Sequence, residues 1–314
     1  MNTDRRHFLK QAGAVMAGGL MLPAISKAAF LTGETAEAWP VGIQLFTVFK
    51  QMNEDPEGTL KKLASIGIKE VESAFSTRGG YYGYKPKEFK KVVEGVGLKW
   101  RAHHATGAPF KMPPPDKMPK GADGKPISIP KMPAMLNLRD NYQQLLDDAA
   151  EAGLSYLVCA STPVGNLDEI KNSIEVFQKT GEAAKKAGIG FAYHNHATEF
   201  DAVEGGKTPY ELVLSQTDKD LVKMELDLAW ATKAGKDPVA LFKEHPGRFP
   251  LWHVKDIKSD LQTITEVGNG VVEFKRIFEA AKIAGLKYFF IEQDMVPSID
   301  SVDIGYKNLV KVIG

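Results

Sequence analysis

Eight short apolar runs, each followed by a polar cluster and then a helix-like stretch, constrain this chain more than any other feature. They are VGIQLFTV (41–48), IKEVESA (68–74), LKWRAHHA (98–105), LSYLVCAS (154–161), IGFAYHNH (189–196), VKMELDLAW (222–230), FPLWHVKDI (249–257) and KYFFIEQD (287–294). Between them lie segments such as YQQLLDDAAEAG, IEVFQKTGEAAKKAG and FKRIFEAAKIAG, whose apolar residues recur at three- and four-residue spacing. Gly67, Gly153, Gly188 and Gly285 stand just before the next run, where a left-handed residue caps a helix and turns the chain back. Strand–helix alternation repeated eight times predicts an α/β chain folded as a single-domain (β/α)8 barrel, with apolar strands covered by helices. A doubly wound open sheet is the alternative, but no glycine-rich dinucleotide loop follows the first run.

The length of 314 residues suits one large barrel, and 43% hydrophobic with 25% charged residues describes an ordinary core-forming chain. A net charge of +1 gives no sign of a nucleic-acid partner. The segment Ala105–Met135, rich in Pro, Lys and Met, breaks the rhythm after the third strand. It predicts a long loop over the C-terminal mouth of the barrel. At the other extreme, Arg5-Arg6-His7-Phe8-Leu9-Lys10 precedes a weakly apolar Ala/Gly/Met/Leu run, and small residues surround Ala28. That pattern predicts a twin-arginine export signal over 1–29, a linker over 30–39 and the barrel over 40–314. The apolar run is too short to anchor stably in a membrane, so the expectation is an exported, periplasmic protein whose partners include the twin-arginine machinery. Cys159 is the only cysteine, so no intrachain disulfide is possible, and it reads as a small core residue.

The polar residues concentrate at the strand ends. Strand two carries Glu70 and Glu72; strand three, His103 and His104; strand five, His194 and His196, with Glu199 beyond; strand six, Glu225 and Asp227; strand seven, His253 and Lys255; strand eight, Glu292 and Asp294. Side chains alternate along a strand, so His194 and His196 share a face, as do Glu225 and Asp227, His253 and Lys255, and Glu292 and Asp294. His194, Asp227, His253 and Glu292 from four consecutive strands are positioned to converge on one divalent ion, and a mixed N/O set suits Mn, Zn, Co or Fe. Singly, each reads as a hydrogen-bonded histidine or a helix-capping acid; recurrence at the barrel face where catalysis occurs favours the metal. Val267-Gly268-Asn269-Gly270 reads either as a backbone cradle for a substrate anion or as a plain turn.

Across residues 40–314, through GIQLFTV, VESA, YHNHATEF, MELDLAW, WHVKD, EVGNG and IEQD, the sequence resembles the sugar phosphate isomerase/epimerase group of xylose isomerase-like TIM barrels. The resemblance implies a metal held by Glu on strand five, Asp on strand six, His on strand seven and Glu on strand eight. Asp227, His253 and Glu292 match; strand five offers His194 instead, leaving His194, His196 and Glu199 as candidates for the fourth position, with His194 expected. It also implies proton abstraction beside the carbonyl of a keto sugar. On that basis Glu199 and Glu292 are expected to transfer protons, Lys255 to stabilise the oxyanion, and His196 to orient a hydroxyl. Glu72, His103 and His104 are further substrate-binding candidates.

The leading expectation is therefore a metal-dependent isomerase or epimerase of an unphosphorylated carbohydrate. A lyase or dehydratase acting on an inosose or 3-keto-glycoside is the close variant. More distant are an apurinic-site phosphodiesterase, which would need more metal ligands and a basic groove, and a non-catalytic sugar-binding barrel.

Overall fold

All eight apolar runs contain a strand. In a computed structural model describing residues 39–109, 133, 135–294, 296 and 298–314, they are β1 (Gly42–Gln44), β2 (Glu70–Ser73), β3 (Lys99–Thr106), β4 (Tyr156–Ser161), β5 (Gly190–His194), β6 (Lys223–Asp227), β7 (Leu251–Val254) and β8 (Tyr288–Ile291). Each pairs in parallel with its sequence neighbours, and β1 pairs with both β2 and β8, so the sheet closes into a barrel. Trp39–Gly314 forms one compact unit. The export signal over 1–29, the linker except Trp39, and residues 110–132 and 134 of the long loop lie outside the described residues. Among the described residues no helix is long and apolar enough to cross a membrane.

Alternation along the strands produces two separate apolar layers. Ile43, Val71, Leu157, Cys159, Leu226 and Trp252 point outward into the main core beneath the helices. Ala102, Tyr156, Val158, Ala192, Leu251 and Phe290 point inward and fill the barrel interior. His104, His194, His253 and Glu292 each follow one of those inward residues by two positions, so they face inward one layer nearer the C-terminal mouth. The apolar interior thus supports a polar floor.

The helices start and stop where local chemistry dictates. Asn137 and Asn166 accept backbone N–H bonds at the starts of helices Leu138–Ala152 and Leu167–Lys186. The four expected turn glycines all have positive φ, with Gly153 and Gly285 in the left-handed conformation at 69° and 77°.

Six runs outlast their strands, and three of them show what takes over. Beyond Gln44 the chain tightens into a 3-10 turn, Leu45–Val48, with the Gln44 side chain accepting the Phe46 N–H at 3.0 Å. Strand β6 ends at Asp227, whose carboxylate caps helix Leu228–Lys233. After β7, Asp256–Ile257 leaves the barrel to pair antiparallel with Ile264–Thr265. At Gln44 and Asp227 the polar residue that ends the strand accepts a backbone N–H of the turn that follows, which fixes its side chain at the mouth.

Candidate metal centre and cavity

His194, Asp227, His253 and Glu292, all buried, each offer a ligand atom, and these atoms lie within 4.8 Å of one another. His253 Nδ1 is 2.7 Å from Glu292 Oε2. Asp227 uses Oδ1 to accept the Trp230 N–H at 2.8 Å, leaving Oδ2 without a hydrogen-bond donor. His194 Nδ1 is likewise unpartnered. A buried polar atom without a hydrogen bond costs about 1–3 kcal/mol, so a carboxylate oxygen whose nearest partner is an ammonium at 3.4 Å, and an imidazole nitrogen with no hydrogen bond, fit a cation between them. Burial, followed by the nearby His253, His196 and His104, depresses the His194 pKa well below the usual histidine range. The imidazole is therefore held in its neutral, ligand-competent form.

Lys255 lies beside this group with its side chain 2% exposed. Its Nζ is 2.9 Å from Glu292, 3.0 Å from Asp294 and 3.4 Å from Asp227. Burial opposes its charge, but Glu292, Asp227 and Asp294 outweigh that opposition and keep it protonated. The Trp230 ring covers the ammonium at 4.9 Å. Burial also opposes ionisation of Glu292, yet Lys255 and His253 together hold that carboxyl well below the usual range. The Asp227 carboxyl is raised by burial despite Lys255.

A second polar knot sits toward β2 and β3. His104 Nε2 lies 2.7 Å from Glu225 Oε2 and 3.2 Å from Glu72 Oε2, while His253 Nε2 lies 2.6 Å from Glu72 Oε2 and 3.2 Å from Glu225 Oε2. Gln44 donates to Glu72 at 2.8 Å. Burial and then the Glu72 charge push the Glu225 carboxyl up to about 7. Neither Glu225 nor Gln44 was among the residues expected at the site. The signal for Glu225 was present, because it shares a strand face with Asp227; Gln44 carried none.

Above the floor opens a cavity of about 440 Å3. Its lining includes the polar His104, His194, His196, Glu292 and Asp294 and the apolar Phe46, Phe75, Tyr81, Met135 and Leu136. His196 keeps 45% of its side chain exposed there. His103 takes the side of β3 opposite His104, with Nδ1 2.8 Å from Ser73 Oγ and its ring edge-on to Tyr81, and contributes only to the wall. Burial pushes its pKa down to about 3.

Glu199 is not brought to this cavity. Its carboxylate accepts from Tyr193 Oη at 3.2 Å, from the His196 backbone N–H at 2.9 Å and from Thr198 Oγ1 at 3.1 Å. Tyr193 alternates with His194 and points into the outer core, so Glu199 closes the turn after β5 from behind. Lys255 does not line the cavity either; its ammonium is enclosed by carboxylates. The glycine loop is also occupied: Asp256, fully buried, accepts the N–H groups of Ile257, Gly268, Gly270 and Val272 at 2.9–3.1 Å. Those amides are turned to a carboxylate of the chain itself. Trp252 stacks on Phe242 in the outer core.

The model of the xylose isomerase-like TIM barrel family matches residues 60–298. An inosose dehydratase from Geobacillus thermodenitrificans (strain NG80-2) is 27% identical over an alignment 157 positions long, which covers 44% of this chain and 51% of that protein. One from Lacticaseibacillus casei is 26% identical over an alignment 149 positions long, covering 40% of this chain and 48% of that protein. The chain therefore spans about half the length of these curated relatives. A sugar phosphate isomerase/epimerase structure from Parabacteroides distasonis ATCC 8503 aligns with a TM-score of 0.70 at 27% identity, covering 89% of this chain and 96% of that one.

Proposed function

The chain belongs to the xylose isomerase-like TIM barrel family, and from that premise we propose that it is a divalent-metal-dependent isomerase or epimerase of an unphosphorylated keto sugar. The observation that carries this reading is the meeting of His194, Asp227, His253 and Glu292, of which His194 and Glu292 line a cavity, while His194 Nδ1 and Asp227 Oδ2 make no hydrogen bond. A bound Mn, Zn, Co or Fe ion supplies Lewis-acid stabilisation of charge developing on a carbonyl oxygen. Glu292, held ionised and reaching the cavity, takes the proton from the carbon beside the carbonyl. The resulting enediolate is reprotonated at the neighbouring carbon in isomerisation, or on the opposite face of the same carbon in epimerisation.

Asp294, across Lys255 from Glu292, is the second carboxylate placed to exchange a proton. His196 orients a hydroxyl from the wall, and Lys255 acts as a positioning residue by fixing the orientation and charge of both acids. Phe46 and Phe75 give the cavity an apolar surface for the C–H face of a sugar ring.

Two observations support an unphosphorylated substrate: the glycine loop spends its amides on Asp256, and no Lys or Arg lines the cavity among the described residues. The second observation also weighs against the phosphodiesterase reading. The inosose dehydratase relatives favour one further reaction at the same site. After the same proton leaves, loss of a β-hydroxyl as water completes a dehydration. The arginine pair and apolar run at the N-terminus support export by the twin-arginine route to the periplasm.

Proton NMR in deuterated water across a panel of keto sugars, inososes and 3-keto-glycosides tests the proposal. Metal-dependent loss of the signal beside one carbonyl supports it, and the product distinguishes isomerisation, epimerisation and dehydration. No exchange in any member by metal-loaded protein defeats it, whereas ligand binding unaffected by chelator would identify a sugar-binding barrel.

A further inference from the structure

The cavity does not end at the barrel mouth. His104 faces the barrel interior, whereas His103 takes the opposite side of β3, against Ser73 and Tyr81, yet both line the same cavity. Leu145 and Asp148 line it too, from helix Leu138–Ala152, which packs on β3 and β4 from outside the sheet. Tyr81 and Leu145 belong to the outer core, and Leu136 packs against it. The space therefore rounds the end of β3 and continues into an annex between sheet and helix, walled by Tyr81, His103, Leu136, Leu145 and Asp148. Its whole volume of about 440 Å3 falls within the ~300–1,000 Å3 of pockets that enclose drug-sized ligands, and exceeds what a single sugar ring fills.

We propose that this annex is an aglycone subsite: the substrate is a keto-glycoside, its sugar ring beside His194 and Glu292 and its aglycone, a flat apolar body with a hydroxyl at one edge, beside Tyr81 and Asp148. The proposal rests on the reading of the strand-end residues as a keto-sugar site and names the substrate class that the site takes.

One ligand spans both chambers because they meet where His103 and His104 are consecutive residues. The character of the aglycone follows from the supply of hydrogen-bonding groups. Tyr81 donates its hydroxyl to Asp148 Oδ2 at 3.1 Å, and His103 uses Nδ1 on Ser73 Oγ at 2.8 Å. Among the described residues this leaves Asp148 Oδ1 and His103 Nε2 as the side-chain groups of the annex available to a ligand. A second sugar ring would bring several hydroxyls into that space and leave most of them unpaired, at a free-energy cost for each. A phenolic body needs one partner for its edge hydroxyl and takes apolar contact from Leu136, Leu145 and the Tyr81 ring. The anomeric carbon of a glycoside is locked, so aldose–ketose isomerisation is closed to it, and epimerisation beside a ring ketone or elimination of the aglycone remains.

The test compares the methyl glycoside of 3-keto-glucose, its 4-hydroxyphenyl glycoside and the 3-keto-glucosyl-glucose disaccharide, in metal-loaded full-length protein. The 4-hydroxyphenyl glycoside is expected to exceed the methyl glycoside in kcat/KM by about tenfold or more, chiefly through KM, with the disaccharide near the methyl glycoside. Leu136→Trp, which fills the annex, should lower that ratio by about tenfold. Asp148→Asn, which keeps an acceptor for Tyr81 but alters the polar edge, should lower it in the same direction, and thermal melts confirm the fold of both variants. A preference confined to kcat, which the leaving group alone would produce, overturns the proposal. So does a ratio near one, a ratio that Leu136→Trp does not move, or a preference for the disaccharide; each of these leaves keto-sugar chemistry standing. If none of the compounds reacts, the keto-sugar reading fails, and calorimetry with the same glycosides still reads the annex. Tighter binding of the 4-hydroxyphenyl glycoside, lost in Leu136→Trp, supports it, and equal affinities overturn it.

Discussion

Lys255 Nζ and His253 Nδ1 approach the same carboxylate oxygen, Glu292 Oε2, at 2.9 and 2.7 Å. One acid at the cavity floor is thereby gripped from both sides. Because Lys255 also neutralises Asp227 and Asp294, removing it strands three carboxylates. Lys255→Met is expected to destabilise the fold by about 3–5 kcal/mol, the range for breaking a buried ion pair. A divalent ion should then raise the melting temperature more in the variant than in wild type, since the ion replaces the lost charge. Thermal melts with and without metal check this, and an equal metal response in both proteins would contradict it.

Glu199 and Glu292 should separate in kinetics. Glu292→Gln removes the carboxylate that reaches the cavity and is expected to lower the exchange rate by about 10²–10⁴-fold, the usual contribution of a general base. Glu199→Gln only weakens the turn behind β5, so it should cost about 1–3 kcal/mol in urea denaturation while leaving kcat within about tenfold. A steady-state comparison of the two variants decides the assignment.

Asp256 holds the excursion after β7 through four backbone N–H groups. Asp256→Ala leaves those donors without their acceptor, with an expected loss of about 3 kcal/mol or more. Added inorganic phosphate should not restore stability unless the vacated amides accept an anion, and a melt in phosphate against chloride reads that directly.

The barrel was legible because its signal is periodic: eight runs and four turn glycines recur wherever a strand or cap is required. The convergence of His194, Asp227, His253 and Glu292 followed from the same rule, since a residue's face is fixed by its position in the strand. What periodicity cannot supply is where a strand stops. Glu199 lies five residues beyond His194, past the strand end, where the turn Thr198–Phe200 reverses its direction. Lys255 was correctly on the face of His253, but its burial among three acids depends on side chains from β6 and β8. Glu225 and Gln44 depend on the packing of opposite barrel walls, which no local window contains.

On the proposed function, exchange beside a carbonyl needs a divalent ion bound at the strand ends. The direct measurement is the deuterium-exchange rate of the responsive keto sugar in chelator-stripped protein as ion is restored stepwise. The rate should rise from background and reach a plateau once the sites fill, and Asp227→Asn should depress that plateau by at least about tenfold. Full-rate exchange by metal-free protein would contradict a metal-dependent reaction.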